Sequence, residues 1–458
     1  MSLTSDPKRA WAPYKPTADN PWDLRKVGHF YRRAGFGATW TELQAGLDAG
    51  PEKLVDSFLA GGPDGPAFPD SIKKGNNGNQ LSAWWLVRLR ETKNPLREKM
   101  TVFWHNHFAT SNNKVQNAGY MIGMYELFYK NALGNFRTLL HDVSKDPAML
   151  IWLDTNQSTK GMPNENYARE LMELFSLGIG NYTENDIREA ARAFTGWDVR
   201  DGKAMFLRQR HDGTDKTVFG KTSDYKSEDI VTMCLEKECC PYFVASKLYH
   251  YLVSETVPLS KELLAPLAEE FRKSDYDFGA MVATVLRSNL FFAPEVYRTR
   301  VKAPVDFAMN IVRGLEGNVP ASALTAAMEG LGQRLFYPPS VKGWDGGLTW
   351  LNATTLLFRQ NLALALSSTT DPRFNSRTDP AALARKYNKA TDEEVVSFFL
   401  DLFLQGDVPP AARARVIDYL HTARSRPAVG YDADDFAASH PVRTACYLVL
   451  SLPEFQLD

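Results

Sequence analysis

Cysteine is scarce. Cys234, Cys239, Cys240 and Cys446 are the only four in 458 residues, too few and too clustered to staple a chain of this size with disulfides. The run CLEKECC sets a vicinal pair behind one earlier cysteine and lacks the two CxxC arms of a zinc knuckle, so reduced thiols are expected. Long apolar runs are missing too. No stretch of about 18 apolar residues occurs, and the opening MSLTSDPKRAWAPYKPTADNPW has no apolar h-region. The expectation is a cytoplasmic protein with no membrane partner. Nor is there an excess of charge of one sign. With 53 Lys and Arg against 54 Asp and Glu the net charge is −1, and no basic tract creates a local field, so nucleic acid is not an expected partner. No Gly-x-Ser-x-Gly, Glu-x-x-His or His-Glu-x-x-His occurs, which disfavours a serine hydrolase elbow, a standard di-iron bundle and a zincin.

Helical periodicity dominates what is present, with a 12% aromatic content that includes ten Trp. WDLRKVGHFYRRAGFG reads as a helix from about Asp23, with Arg32 and Arg33 in its last turn and Gly35 as a left-handed stop. Thr39 with Glu42, Thr183 with Asp186, and Thr391 with Glu394 have the spacing of capping boxes, and Pro51 suits a first helical position. One hairpin is expected in KAMFLRQRHDGTDKTVFGK, its arms flanking HDGTD between Met205 and Phe219. These signals predict an all-α protein, a large multi-helix orthogonal bundle with one small β-hairpin insertion near 204–220. An extended segment 1–21 precedes a main helical domain 22–366. The polar stretch SSTTDPRFNSRTDP makes 367–380 a linker, and 381–458 is a helical segment packed back on the main domain.

The stretch Asp154 to Trp197 threads carboxylates, amides and arginines through core-like helices. Burying an unpaired charge costs several kcal/mol, so such groups are either mutually paired or held for a ligand. In NENYARELMELFSLG, a helix expected over 164–177, Ala168, Leu171, Leu174 and Phe175 form a core stripe. Glu165, Arg169 and Glu173 form a polar one, and Glu170 points off it toward the apolar flank. The ordinary reading of such a stripe is a solvated row of ion pairs. In PLREKMTVFWHNHFATS, His105 and His107 lie about 200° apart on a helix and cannot chelate one ion. His105 shares a face with Glu98 and is the one expected to face a site, against the plainer role of a hydrogen-bonded core histidine. Arg192 is expected to find its partner away from its own helix, in Glu170 or Glu173. HDGTD places His211 on a tight turn, and PPSVKGWDGGLTWLN couples Lys342 to Trp344 and glycines in a loop able to close a cleft.

RRAGFGAT, PLREKMTVFWHNHFATS, KDPAMLIWLD, KGMPNENYARELMELFSLGIGNYTENDIREAARAFTGW, PPSVKGWDGG and SLPEFQ together resemble the bacterial domain-of-unknown-function family eighteen-hundred, along nearly the whole chain. The resemblance implies a mostly helical fold and relatives that resemble exported proteins. It carries no catalytic residue onto this chain.

Two readings of function follow. In the first, the chain is an enzyme with a carboxylate and histidine site working by metal-assisted or acid/base hydrolysis on a small-molecule or polymer substrate. Glu165, Glu170, Arg169 and His211 are then its catalytic candidates, and Lys160, Lys342 and Trp344 its cofactor-binding candidates. His105, Asp154 and Glu170 are its candidate ligands for a divalent metal. In the second, the chain is a helical scaffold or binding module whose charged residues form a structural ion network and whose aromatic loops meet a protein partner. A redox cofactor cradled by Trp104, Trp152, Trp197 and His105 is the least favoured alternative.

Overall fold

The computed structural model describes residues 3–368, 371–374, 378–425 and 433–458. Among them are 24 α-helices and only two small antiparallel sheets, so the protein is predominantly helical. One hydrophobic core runs from Ala10 to Phe455, with Trp85, Trp104, Phe30, Phe36, Phe108 and Phe128 wholly buried. The Asp392–Leu404 helix packs on Pro304–Gly314, and Ala433–Leu450 packs on Ala353–Ser367. Within the expected 367–380 linker, residues 369–370 and 375–377 lie outside the described residues. Phe374 is buried, and the Thr378 hydroxyl bonds back to the Leu366 carbonyl.

Local chemistry sets the helix ends. Asp23 caps Leu24–Arg33 through the Lys26 N–H, and all three expected capping boxes form. Pro51 opens Pro51–Ala60. The left-handed glycine after the first long helix is Gly37 (φ 82°), not Gly35. A Cβ at Gly37 would lie 2.0 Å from the Asn310 amide nitrogen, so close approach as well as backbone sign requires glycine there.

The helix expected over 164–177 is α-helical only over Asn166–Glu170. It then widens into a π-helix over Leu171–Ser176, with the Leu177 and Gly178 N–H groups both donating to Met172 O. The expected single hairpin is two. Lys203–Phe206 pairs backward with Trp197–Arg200, and Lys216–Val218 pairs forward with Lys221–Ser223. The turns are Asp201-Gly202 (φ 49° and 77°) and Phe219-Gly220 (φ 50° and 75°), each with positive φ at both positions as a type I′ hairpin turn demands. HDGTD is the connection between the hairpins.

Candidate functional site

The charges that stood out in the sequence are mostly paired with one another. Glu98 is fully buried on Pro95–His107, where it accepts from the Tyr125 hydroxyl at 2.8 Å, Trp85 Nε1 at 3.2 Å and Arg88 Nε at 3.2 Å. Burial raises its pKa against the pull of Arg88. Arg169 is held by Glu165 at 3.1 Å and by Glu184 at 2.8 Å, both partly or largely exposed. Glu173 accepts the Tyr182 hydroxyl at 2.8 Å. Arg192 does not reach Glu170 or Glu173. It bonds Glu189 and Asp212, each at 2.7 Å, and Thr214, so it ties its helix to the loop between the hairpins.

The residues expected to hold a metal are not brought together. The His105 side chain lies among Trp85, Phe336 and Trp344, and its Nε2 accepts the Phe336 backbone N–H at 3.0 Å. Burial pushes its pKa down to about 3, so the ring is neutral. Asp154, in a left-handed conformation (φ 58°), pairs with Lys114 at 2.7 Å and accepts from the Asn166 amide. Glu170 is half-buried, its carboxyl raised to about 7 by burial and then by Glu173. Among the described residues, no group of three or more His, Cys, Asp and Glu side chains is arranged to hold a metal ion. The set His105, Asp154 and Glu170 does not form such a group, and His105 Nε2 is engaged by the backbone. His107, on the other side of the same helix, bonds Phe175 O at 3.0 Å.

The remaining candidates are dispersed. Lys160 is exposed, with its backbone N–H bonded to Arg210 O at 2.8 Å. Lys342 pairs with Asp345 at the surface. Trp344 is buried with Val301 and Trp350 beside His105, and its backbone N–H donates to Asn106 Oδ1 at 2.7 Å. His211 is buried against Phe206. Its Nδ1 lies 2.9 Å from Thr195 O, which fixes the proton on Nδ1 and leaves the buried Nε2 without a protein partner. Thr155 Oγ1, Asn156 Oδ1 and Trp152 Nε1 are also buried without partners, in a loop joined to the His211 segment by Arg210 Nη2 donating to Asn156 O at 2.9 Å.

A cleft of about 1310 Å³ opens elsewhere, between the 180–186 turn, the second hairpin, the 236–242 connection and the start of Lys261–Lys273. Tyr182, Phe219 and Tyr242 line it, with Lys237 standing 4.4 Å over the Phe219 ring and Lys261 5.2 Å over Tyr242. Its carboxylates are Asp186, Glu236 and Glu238. Asp186 is already committed, capping its helix through Thr183 and accepting the Phe219 N–H at 2.7 Å. Cys239 reaches the cleft, whereas Cys234, Cys240 and Cys446 are buried. No sequence signal marked this cleft, because its walls come from four separate segments.

The model of the family described as Protein of unknown function (DUF1800) matches residues 29–457. The chain belongs to this family. Comparisons with curated proteins and with solved structures found no match. The DUF1800 match spans the paired charges, both hairpins and the cleft alike. No helix among the described residues is long and apolar enough to cross a membrane.

Proposed function

We propose that the protein is a binding module that takes an extended segment of a peptide in the cleft walled by Tyr182, Phe219, Tyr242 and Cys239. The cleft itself carries this reading. At about 1310 Å³ it exceeds the roughly 300–1,000 Å³ typical of small-molecule pockets. It combines aromatic faces with lysines and carboxylates, a lining suited to mixed side chains. The pairing of Glu98 with Arg88, of Arg169 with Glu165 and Glu184, and of Arg192 with Glu189 and Asp212 supports a structural role for the charged helices. The test is a screen of peptide and oligosaccharide arrays, with each hit re-measured on Tyr242→Ala. Peptide hits weakened tenfold or more support the reading. Oligosaccharide hits alone, or peptide hits indifferent to Tyr242, overturn it.

A second reading keeps an acid/base role for Glu170, whose carboxyl is poised near 7 and lies one turn from Glu173, the partner of the cleft residue Tyr182. It requires an activity that is lost in Glu170→Gln while the fold persists.

A further inference from the structure

Unpartnered buried atoms gather in a second place, where Leu24–Arg33, the segment 298–302 and the tail 453–458 meet. The tail, a 3-10 turn over Pro453–Gln456 and the two residues after it, is held by a short antiparallel backbone pairing. Val301 bridges Leu457, Lys302 N–H donates to Gln456 O at 2.9 Å, and Asp458 N–H donates to Arg300 O at 2.8 Å. This pairing carries Asp458 into a pit walled by cations. Asp458 is 1% exposed, beside Arg33 (0%), Lys99 (0%), Lys302 (1%) and Arg300 (6%). Burial opposes the charge of the Asp458 carboxyl, yet Lys302, Lys99, Arg33 and Arg300 together hold its pKa below the ordinary value.

The fit is incomplete on both sides. Asp458 Oδ2 has no hydrogen-bond donor, while Arg33 Nε and Arg300 Nη1 have no acceptor, and Arg300 Nε stands 3.4 Å from Glu255 without hydrogen-bond alignment. The other donors of the pit are already engaged. Lys99 bonds Asp306 at 2.7 Å, Lys302 Nζ donates to Phe455 O at 2.7 Å, and Arg33 donates to Val253 O at 2.9 Å and to the backbone oxygen of Asp458 at 3.1 Å. A finished buried ion pair matches donors to acceptors one for one. Here Arg33, Lys99, Arg300 and Lys302 face three side-chain carboxylates, Asp458, Asp306 and Glu255, and donor capacity is left over.

We propose that Arg33, Lys99, Arg300 and Lys302 form a carboxylate-binding pit that the chain fills with its own Asp458, so that the tail 453–458 latches shut a site for small carboxylates. Removing the Asp458 carboxyl leaves the four buried cations with only Asp306 and Glu255 as counter-charges, and a carboxylate of the right size restores the third. The test is chemical complementation read by thermal unfolding. Asp458→Ala lacks the COO⁻ group, which formate replaces. Asp458→Gly lacks one carbon more, which acetate replaces. The expected result is a saturable rise of several degrees in the midpoint of Asp458→Ala with formate and of Asp458→Gly with acetate, while chloride at equal ionic strength gives none and the unsubstituted protein does not respond. Variants no more responsive to these anions than to chloride overturn the proposal. So do variants that are unfolded and fail to regain helical circular dichroism in the matching anion.

Discussion

His105 Nε2 accepts the backbone N–H of Phe336 at 3.0 Å, and this bond occupies the Nε2 lone pair. It also joins the Pro95–His107 helix to a segment more than two hundred residues away. His105→Ala leaves a buried N–H without an acceptor and a void beside Trp85 and Trp344. The expected cost is about 2–4 kcal/mol, measured by urea unfolding. A cost under about 0.5 kcal/mol, as for a surface position, contradicts the assigned role.

His107 supplies a pH signature. Burial pushes its pKa down to about 3, with Lys247 adding to the effect. Between about pH 3 and 6.5 the unfolded chain therefore binds a proton that the folded chain does not, so this contribution is whole above pH 6.5 and is lost as pH falls. His107→Gln removes that linkage. The stability difference between the unsubstituted protein and the variant is expected to shrink by about 1.4 kcal/mol per pH unit across that window, measured by denaturation at several pH values.

Lys99 and Asp306 form a buried pair at 2.7 Å. Lys99→Met strands the carboxylate at an expected cost of about 3–5 kcal/mol, whereas Lys99→Met with Asp306→Leu recovers most of it, because an apolar pair of similar volume is tolerated where a lone charge is not. A double variant as unstable as the single one contradicts this account.

The Glu170 carboxyl, raised to about 7, keeps its proton in the folded state over a range where the unfolded chain has lost it. Stability from this group is present below about pH 4 and is lost as pH rises through 7. Glu170→Gln is expected to match the unsubstituted protein at pH 4 and to exceed it by about 1 kcal/mol at pH 8, a figure discounted for solvent screening of a half-buried group. Equal stabilities at pH 8 contradict the assignment.

What the sequence made legible was local. Thr39, Thr183 and Thr391 meet their capping partners three residues on, so a short window contains the whole interaction. The expected hairpin went astray because HDGTD looked like a turn, while the dipeptides Asp201-Gly202 and Phe219-Gly220 supplied the required backbone signs. Partner choice among the charges was hidden for the same reason. Arg192 finds Asp212 across a hairpin that had to be placed first, and His105 finds its acceptor role only once the distant Phe336 is folded against it. The cleft is wholly non-local, and neither Tyr242 nor Cys239 has a neighbour in sequence that announces it.

The most direct measurement of the central claim, that recognition lies in this cleft and not among the paired charges, is the rate at which N-ethylmaleimide labels Cys239. Three of the four cysteines are buried, and Cys239 alone stands at the cleft. A peptide that binds the folded protein is expected to slow labelling of Cys239 at least tenfold, and to do so equally in Arg169→Met, where the surface ion network is broken. A bound peptide that leaves the Cys239 rate unchanged, or whose binding is abolished by Arg169→Met, contradicts the account.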